Sequence, residues 1–116
     1  MAKVFGIHYV ALQSGVKPEE FEAFATQRWS QLSPLPGLTT YLVKGDRGDR
    51  LNRYLLIFEF ESEETRDRYL PGEGVASEEL HQAMAAAAPV LSEWTKYASF
   101  AGSPTLWTDY VALASV

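Results

Sequence analysis

The sequence predicts an α+β domain of β-α-β-β-α-β order, and three observations carry that expectation. Four segments are rich in β-branched and aromatic residues and alternate with period two. Two long stretches between them place apolar residues at i, i+3 and i+4. Proline, glycine and charged clusters fall at the joins. At 116 residues the chain reads as one domain, 1–116, with a single core.

The first strand carries Phe5, Ile7, Tyr9 and Ala11 on one face and Val4, His8, Val10 and Leu12 on the other, so both faces are expected to be covered. Ser14 and Gly15 break it. Pro18 at a first-turn position, followed by Glu19 and Glu20, suits the positive end of a helix dipole. Phe21, Phe24, Ala25, Trp29 and Leu32 then form an aromatic stripe facing the core, and the helix is expected to stop before Pro34. Pro34, Pro36 and Gly37 make a stiff turn into a second strand at 38–44. Residues 45–51, turn-rich and charged, predict a hairpin to an antiparallel third strand running from 52 or 53 to 61.

Ser62 is a plausible N-cap for a short helix with Glu63 and Glu64 in its first turn, ended near Leu70 by Pro71 and Gly72. Ser77, Glu78 and Glu79 repeat that signal. Leu80, Met84, Leu91 and Trp94 keep helical spacing across Pro89, which predicts a long helix that bends or restarts there because proline lacks the backbone donor. The alanines at 85–88 are expected to allow close approach to the sheet. Ala101, Gly102, Ser103 and Pro104 read as a loop, and residues 106–114 as the fourth strand.

Each half gives strand, helix, strand. Two interlocked right-handed crossovers make the ferredoxin-like split arrangement, an antiparallel sheet of order 4-1-3-2 with helices on one face. Strands one, three and four carry large apolar side chains on both faces, so the face away from the helices needs a cover. A second copy packed sheet to sheet supplies it, which predicts a homodimer.

The composition is that of an ordinary globular protein, 47% apolar and 22% charged, with 3 Trp, 6 Tyr and 6 Phe. A net charge of −5 without a clustered basic patch argues against nucleic-acid binding. The absence of cysteine removes disulfides and thiolate chemistry, and agrees with a cytoplasmic setting. The start, Met1-Ala2-Lys3, leads into a strand and lacks the apolar stretch of an export signal. The longest apolar run, 83–91, is far below the ~20 residues a membrane span requires. Two histidines with no metal-binding helix spacing predict no metal, and no phosphate-cradling glycine loop predicts a nucleotide. Arg47-Gly48-Asp49 matches an adhesion tripeptide by chance.

The element order, the Phe-rich first helix, the segment Pro36-Gly37-Leu38-Thr39-Thr40-Tyr41 and the strand end Phe58-Glu59-Phe60-Glu61-Ser62 leading into an acidic helix resemble the dimeric α/β-barrel superfamily. Similar groups are the antibiotic-biosynthesis monooxygenases, the stress-responsive barrel proteins and the NIPSNAP proteins. The resemblance covers nearly the whole chain and rests on patterns of residue type. It implies a homodimer through the sheet face, a cleft between sheet and helices for one small hydrophobic molecule, and activities that include cofactor-free oxygenases, haem degradation, cyclases and isomerases. Haem-degrading members rely on an Asn, Trp and His set; Asn52, the only asparagine, sits at a hairpin and does not match it.

Three side chains are candidate catalysts. His8, mid-strand, can act as a base near neutral pH or bond a phenolic ligand, and similar cyclases use a first-strand histidine. The alternative is a core or interface histidine satisfied by a neighbour. His81, at the start of the long helix past the 71–74 loop, lies where similar cyclases carry a second histidine; otherwise it is an exposed helix residue. Glu59, on an apolar strand face, would gain a raised pKa if desolvated, whereas a partner in Arg53 or Arg28 would make it structural. Asp109 poses the same question on the fourth strand, where a bond to a loop or to the other subunit is favoured. Trp29, Tyr41, Tyr54, Tyr69, Trp94 and Tyr97 can line a cleft and stack on a planar ligand, or pack as core. Gly72-Glu73-Gly74 reads as a lip over that cleft.

The sequence thus predicts a small-molecule-binding protein, working either as a cofactor-independent monooxygenase or cyclase on a planar phenolic substrate, or as a non-catalytic binding or assembly protein with a filled cleft. In the first case the base is a histidine and no cofactor is required.

Overall fold

The computed structural model describes residues 2–100 and 107–116. Strand β1 (Val4–Leu12) leads through Pro18 into helix α1 (Pro18–Arg28), which tightens into a 3-10 turn at Trp29–Gln31 before Pro34. Strands β2 (Leu38–Lys44) and β3 (Tyr54–Phe60) form the expected hairpin. Its turn needs glycine at position 45, where a Cβ would stand 1.9 Å from the Arg50 carbonyl oxygen. Asn52, at φ 64°, is left-handed, a conformation asparagine tolerates.

Helix α2 (Glu63–Tyr69) is capped by Ser62, whose hydroxyl accepts from the Thr65 amide at 3.1 Å. Helix α3 (Glu78–Ala86) has the same device in Ser77 and Leu80, at 3.2 Å. The helical run restarts as α4 (Ala88–Tyr97), with Pro89 in its first turn, where a missing N–H costs nothing.

The sheet is antiparallel, in the order β2-β3-β1-β4, as expected. Position four differs in make-up. It is shared by β4 (Ala98–Phe100), alongside Val10 to Leu12, and β5 (Trp107–Val111), alongside Val4 to His8. The anticipated fourth strand is therefore shorter and has a forerunner at the end of α4. The anticipated 101–104 loop and Leu106 lie outside the described residues.

The pleat of β1 sends Val4, Gly6, His8, Val10 and Leu12 toward the helices and Phe5, Ile7, Tyr9 and Ala11 to the other face. Two packed clusters hold the helices down. In the larger, Phe21 of α1 meets Tyr54 edge-on (4.9 Å between ring centroids) and Trp94 of α4 (5.4 Å), with Phe24, Val10, Leu56 and Val90 around them. In the smaller, Val4 and Phe60 pack on Tyr69 of α2, whose hydroxyl donates to the Pro36 carbonyl at 2.6 Å.

The alanine run of α3 does not press onto the sheet as anticipated. Of the alanines at 85–88, Ala86 and Ala87 border a cleft between the helices and the strands, as does Ala83 before them. Small side chains here leave space instead of closing it.

Phe21 is fully buried at the centre of the larger cluster. Phe21→Ala is expected to cost about 3–5 kcal/mol, read as a lowered denaturant midpoint with an unchanged slope.

Candidate functional site

Between the two clusters lies a half-open cavity of about 1670 Å³. Its floor is the helix-facing side of the sheet, with His8, Leu56, Phe58, Phe60 and Trp107; α3 and the 3-10 turn supply Leu80, Met84 and Trp29 on the opposite wall. The lining is mainly apolar and aromatic, as in pockets for small planar molecules. Gly72, Glu73 and Gly74 contribute to its rim, where the sequence suggested a lip.

His8 stands on that floor among rings, edge-on to Phe58 at 5.1 Å and beside Phe100 at 5.5 Å and Trp107 at 6.3 Å. Burial pushes its pKa below the ordinary 6.5, against smaller opposing effects of the Leu56 backbone and the Asp109 charge. The ring is thereby held neutral near physiological pH, the state in which it can accept a proton. Its Nδ1 is buried and has no hydrogen-bond partner among the described residues.

One step along the sheet, Asp109 of β5 pairs across from Gly6. A Cβ at Gly6 would stand 2.9 Å from Asp109 Oδ1, so the mid-strand glycine is what lets the carboxylate lie over β1. Oδ2 accepts from Arg66 Nη1 at 2.9 Å, and the Arg66 Nε donates to Asp67 at 2.7 Å. Oδ1 is buried and unpartnered among the described residues. In place of the expected bond from Asp109 to a loop or another subunit, its partner is a helix arginine in its own chain. Arg66, His8 and Asp109 all line the cavity.

The other anticipated residues divide. Trp29 and Tyr69 line the cavity, while Trp94 supports it from within the larger core, 5.6 Å from Trp29. Tyr97 stacks on Phe24 at 4.9 Å. Tyr54 is spent elsewhere: its hydroxyl donates to Glu22 at 2.6 Å, and burial and that carboxylate push its pKa up. His81 is exposed on α3 and does not line the cavity.

Glu59 and Tyr41 lie on the far face of the sheet from His8. Glu59 accepts from Lys3 and Tyr41, each at 3.1 Å, and the Lys3 bond holds its carboxyl below the usual range. The desolvated, raised carboxylate anticipated for Glu59 is not found, and its partners are not Arg53 or Arg28. Arg28 instead pairs with Glu93 at 3.0 Å, off hydrogen-bond angle. Since His8 and Glu59 point to opposite faces, they do not satisfy one another.

Sequence reasoning missed Arg66, Phe58, Phe100 and Trp107. For the Arg66–Asp109 pair a signal existed: Gly6 interrupts an otherwise apolar strand, which marks a close approach. Among the described residues no group of His, Asp and Glu is placed to hold a metal ion. No helix among them is long and apolar enough to cross a membrane.

No protein-family model matches the chain, and no curated protein matches it in sequence. Its fold is shared with the crystal structure of SnoaB, a cofactor-independent oxygenase from Streptomyces nogalater. The TM-score is 0.56 at 14% identity, over 100% of this chain and 98% of that one. A mutant form of that oxygenase aligns with a TM-score of 0.54 at 15% identity, over 98% and 96% of the two chains. The likeness is one of fold, and it is the fold that the sequence resemblance implied.

The depressed pKa of His8 has a stability consequence. Above pH 6.5 the imidazole is neutral folded and unfolded; as pH falls below it, the unfolded chain takes a proton that the folded site refuses. Stability is therefore lost through this window and levels off below the folded pKa. His8→Gln is expected to lose less stability than the parent as pH falls below 6.5, by urea unfolding at each pH.

Proposed function

We propose that the chain is a homodimeric, cytoplasmic small-molecule-binding protein that acts as a cofactor-independent monooxygenase or cyclase on a planar, hydrophobic phenolic substrate. The observation that carries this reading is the open aromatic cleft with a neutral histidine on its floor. Its volume is ample for a planar small molecule, which favours a cleft that admits a ligand over one filled by its own side chains. The shared fold of a cofactor-independent oxygenase supports the oxygenase branch.

In this mechanism Trp29, Phe58 and Trp107 sandwich the aromatic plane, and His8 removes a phenolic or α-carbonyl proton. For oxygenation at an activated CH₂, the resulting anion passes electrons to O₂ and forms a carbon–oxygen bond. The peroxide collapses to a carbonyl and water, so one CH₂ and one O₂ give one C=O and one H₂O, with the substrate as reductant. For cyclisation the same anion attacks an internal carbonyl, and His8 returns the proton. A planar substrate seated against the aromatic walls would displace water there and strengthen the developing charge interactions.

The dimer reading rests on the other sheet face. Phe5, Ile7, Tyr9, Leu55 and Ile57 form a partly exposed apolar field there, joined by Tyr110 at 56% exposure. A second copy would cover it, with Lys3, Glu59 and Tyr41 as part of a polar rim.

A thermal-shift screen with hydroxylated naphthalenes and anthraquinones is expected to give a hit. Ligand at a hundredfold over its Kd adds about 2.7 kcal/mol, several degrees in Tm for a domain of this size. His8→Ala is expected to abolish turnover of that ligand with its own Tm held; retained turnover removes His8 as base. By sedimentation at micromolar concentration the parent is expected to be a dimer and Ile57→Lys a monomer, and a monomeric parent overturns the dimer reading.

A further inference from the structure

The helix-facing floor carries two polar atoms that are buried and without partners, and they are complementary: His8 Nδ1, which can carry a proton, and Asp109 Oδ1, which can only accept one. Unmade hydrogen bonds at buried groups are costly, and two within one site call for an explanation. The β1–β5 register sets Gly6 opposite Asp109 and His8 opposite Trp107, so His8 and Asp109 are diagonal neighbours on one face. Such neighbours stand about 7–8 Å apart at the backbone, within reach of aromatic side chains. No side chain intervenes at position 6, because Gly6 has none.

We infer that Asp109 is the positioning residue for His8: a rotation of the imidazole places Nδ1–H on Asp109 Oδ1, forming a carboxylate–histidine dyad that leaves Nε2 unprotonated toward the cleft. Arg66 anchors the second carboxylate oxygen and keeps Oδ1 turned to the histidine. The charged groups in this arrangement are Asp109 on β5, and Arg66 and Asp67 on α2; β3 presents Leu56 and Phe58, and β4 presents Phe100. The dyad fixes the tautomer and favours the imidazolium formed when Nε2 takes a substrate proton. Its bearing on turnover rests on the reading of His8 as the base; the dyad itself does not, and it is tested on the ligand-free protein.

The experiment is proton–nitrogen correlation NMR of the two imidazoles through a pH titration, with His81→Gln identifying the His8 signals. In the parent, neutral His8 is expected to carry its proton on Nδ1. In Asp109→Asn, Arg66 can only donate, so it holds the amide oxygen and turns the NH₂ to the histidine. Nδ1 then becomes an acceptor, the proton moves to Nε2, and His8 titrates lower by about one unit or more. Gly6→Ala tests the same contact from the other side, since its Cβ displaces Oδ1; a partial shift toward the Asp109→Asn pattern is expected. An unchanged tautomer and titration of His8 in Asp109→Asn overturns the dyad. Should Asp109→Asn fail to fold, an unchanged His8 pattern in Gly6→Ala overturns it. Loss of turnover in His8→Ala with an unchanged His8 tautomer in Asp109→Asn would keep the base and discard the dyad.

Discussion

Everything on the helix side of this molecule depends on where the helices are pinned to the sheet. Phe21 of α1, wedged between Tyr54 of β3 and Trp94 of α4, fixes one pair of helices at one end. Tyr69 of α2, packed on Val4 and Phe60 and bonded to the Pro36 carbonyl, fixes the third at the other. Burial of a whole aromatic side chain underlies both anchors, and edge-on ring contact adds to the first. Helix α3 spans between them with Leu80, Ala83 and Met84 toward the sheet, and the short alanine leaves the gap unfilled. The cleft is thus a product of two anchors and a span, and its shape is set by packing away from the cleft itself.

The central strand transmits that frame to the chemistry. Because β1 is paired along both edges, the direction of each of its side chains is fixed by the pleat. His8 must face the helices, Gly6 must leave a hollow on the same face, and Asp109 can occupy it only because β5 pairs in the observed register. A slip of β1 by one residue would turn His8 to the far face of the sheet and part it from Asp109. The same alternation explains why Glu59, so similar in sequence context, lies on the other face with Lys3 and Tyr41.

Several particulars of the fold were legible because their causes are local. Ser62 and Ser77 cap the helices they precede, Pro89 restarts a helix it cannot continue, and the hairpin from Lys44 to Tyr54 follows from its glycines and charges. The site was legible only in part. His8 and Trp29, singled out by residue type and position, line the cleft, but Tyr54 and Tyr41 have the same composition signal and are occupied by Glu22 and Glu59. An exposed His81 and a cleft-facing His8 differ by packing that no short window of sequence contains.

The sequence by itself determined the element order, the capping and breaking points, and the sheet order that follows from interlocked crossovers, because propensity, caps and handedness act over a few residues or through general chirality. Tertiary structure alone decided that the fourth position is shared by two strands, that the alanines of α3 border a cavity, and that Arg66 reaches Asp109 across 43 residues. The physical reason is range. A hydrogen bond between distant segments, or the space two anchors leave between them, depends on the sum of all the packing and is written in no single stretch of the chain.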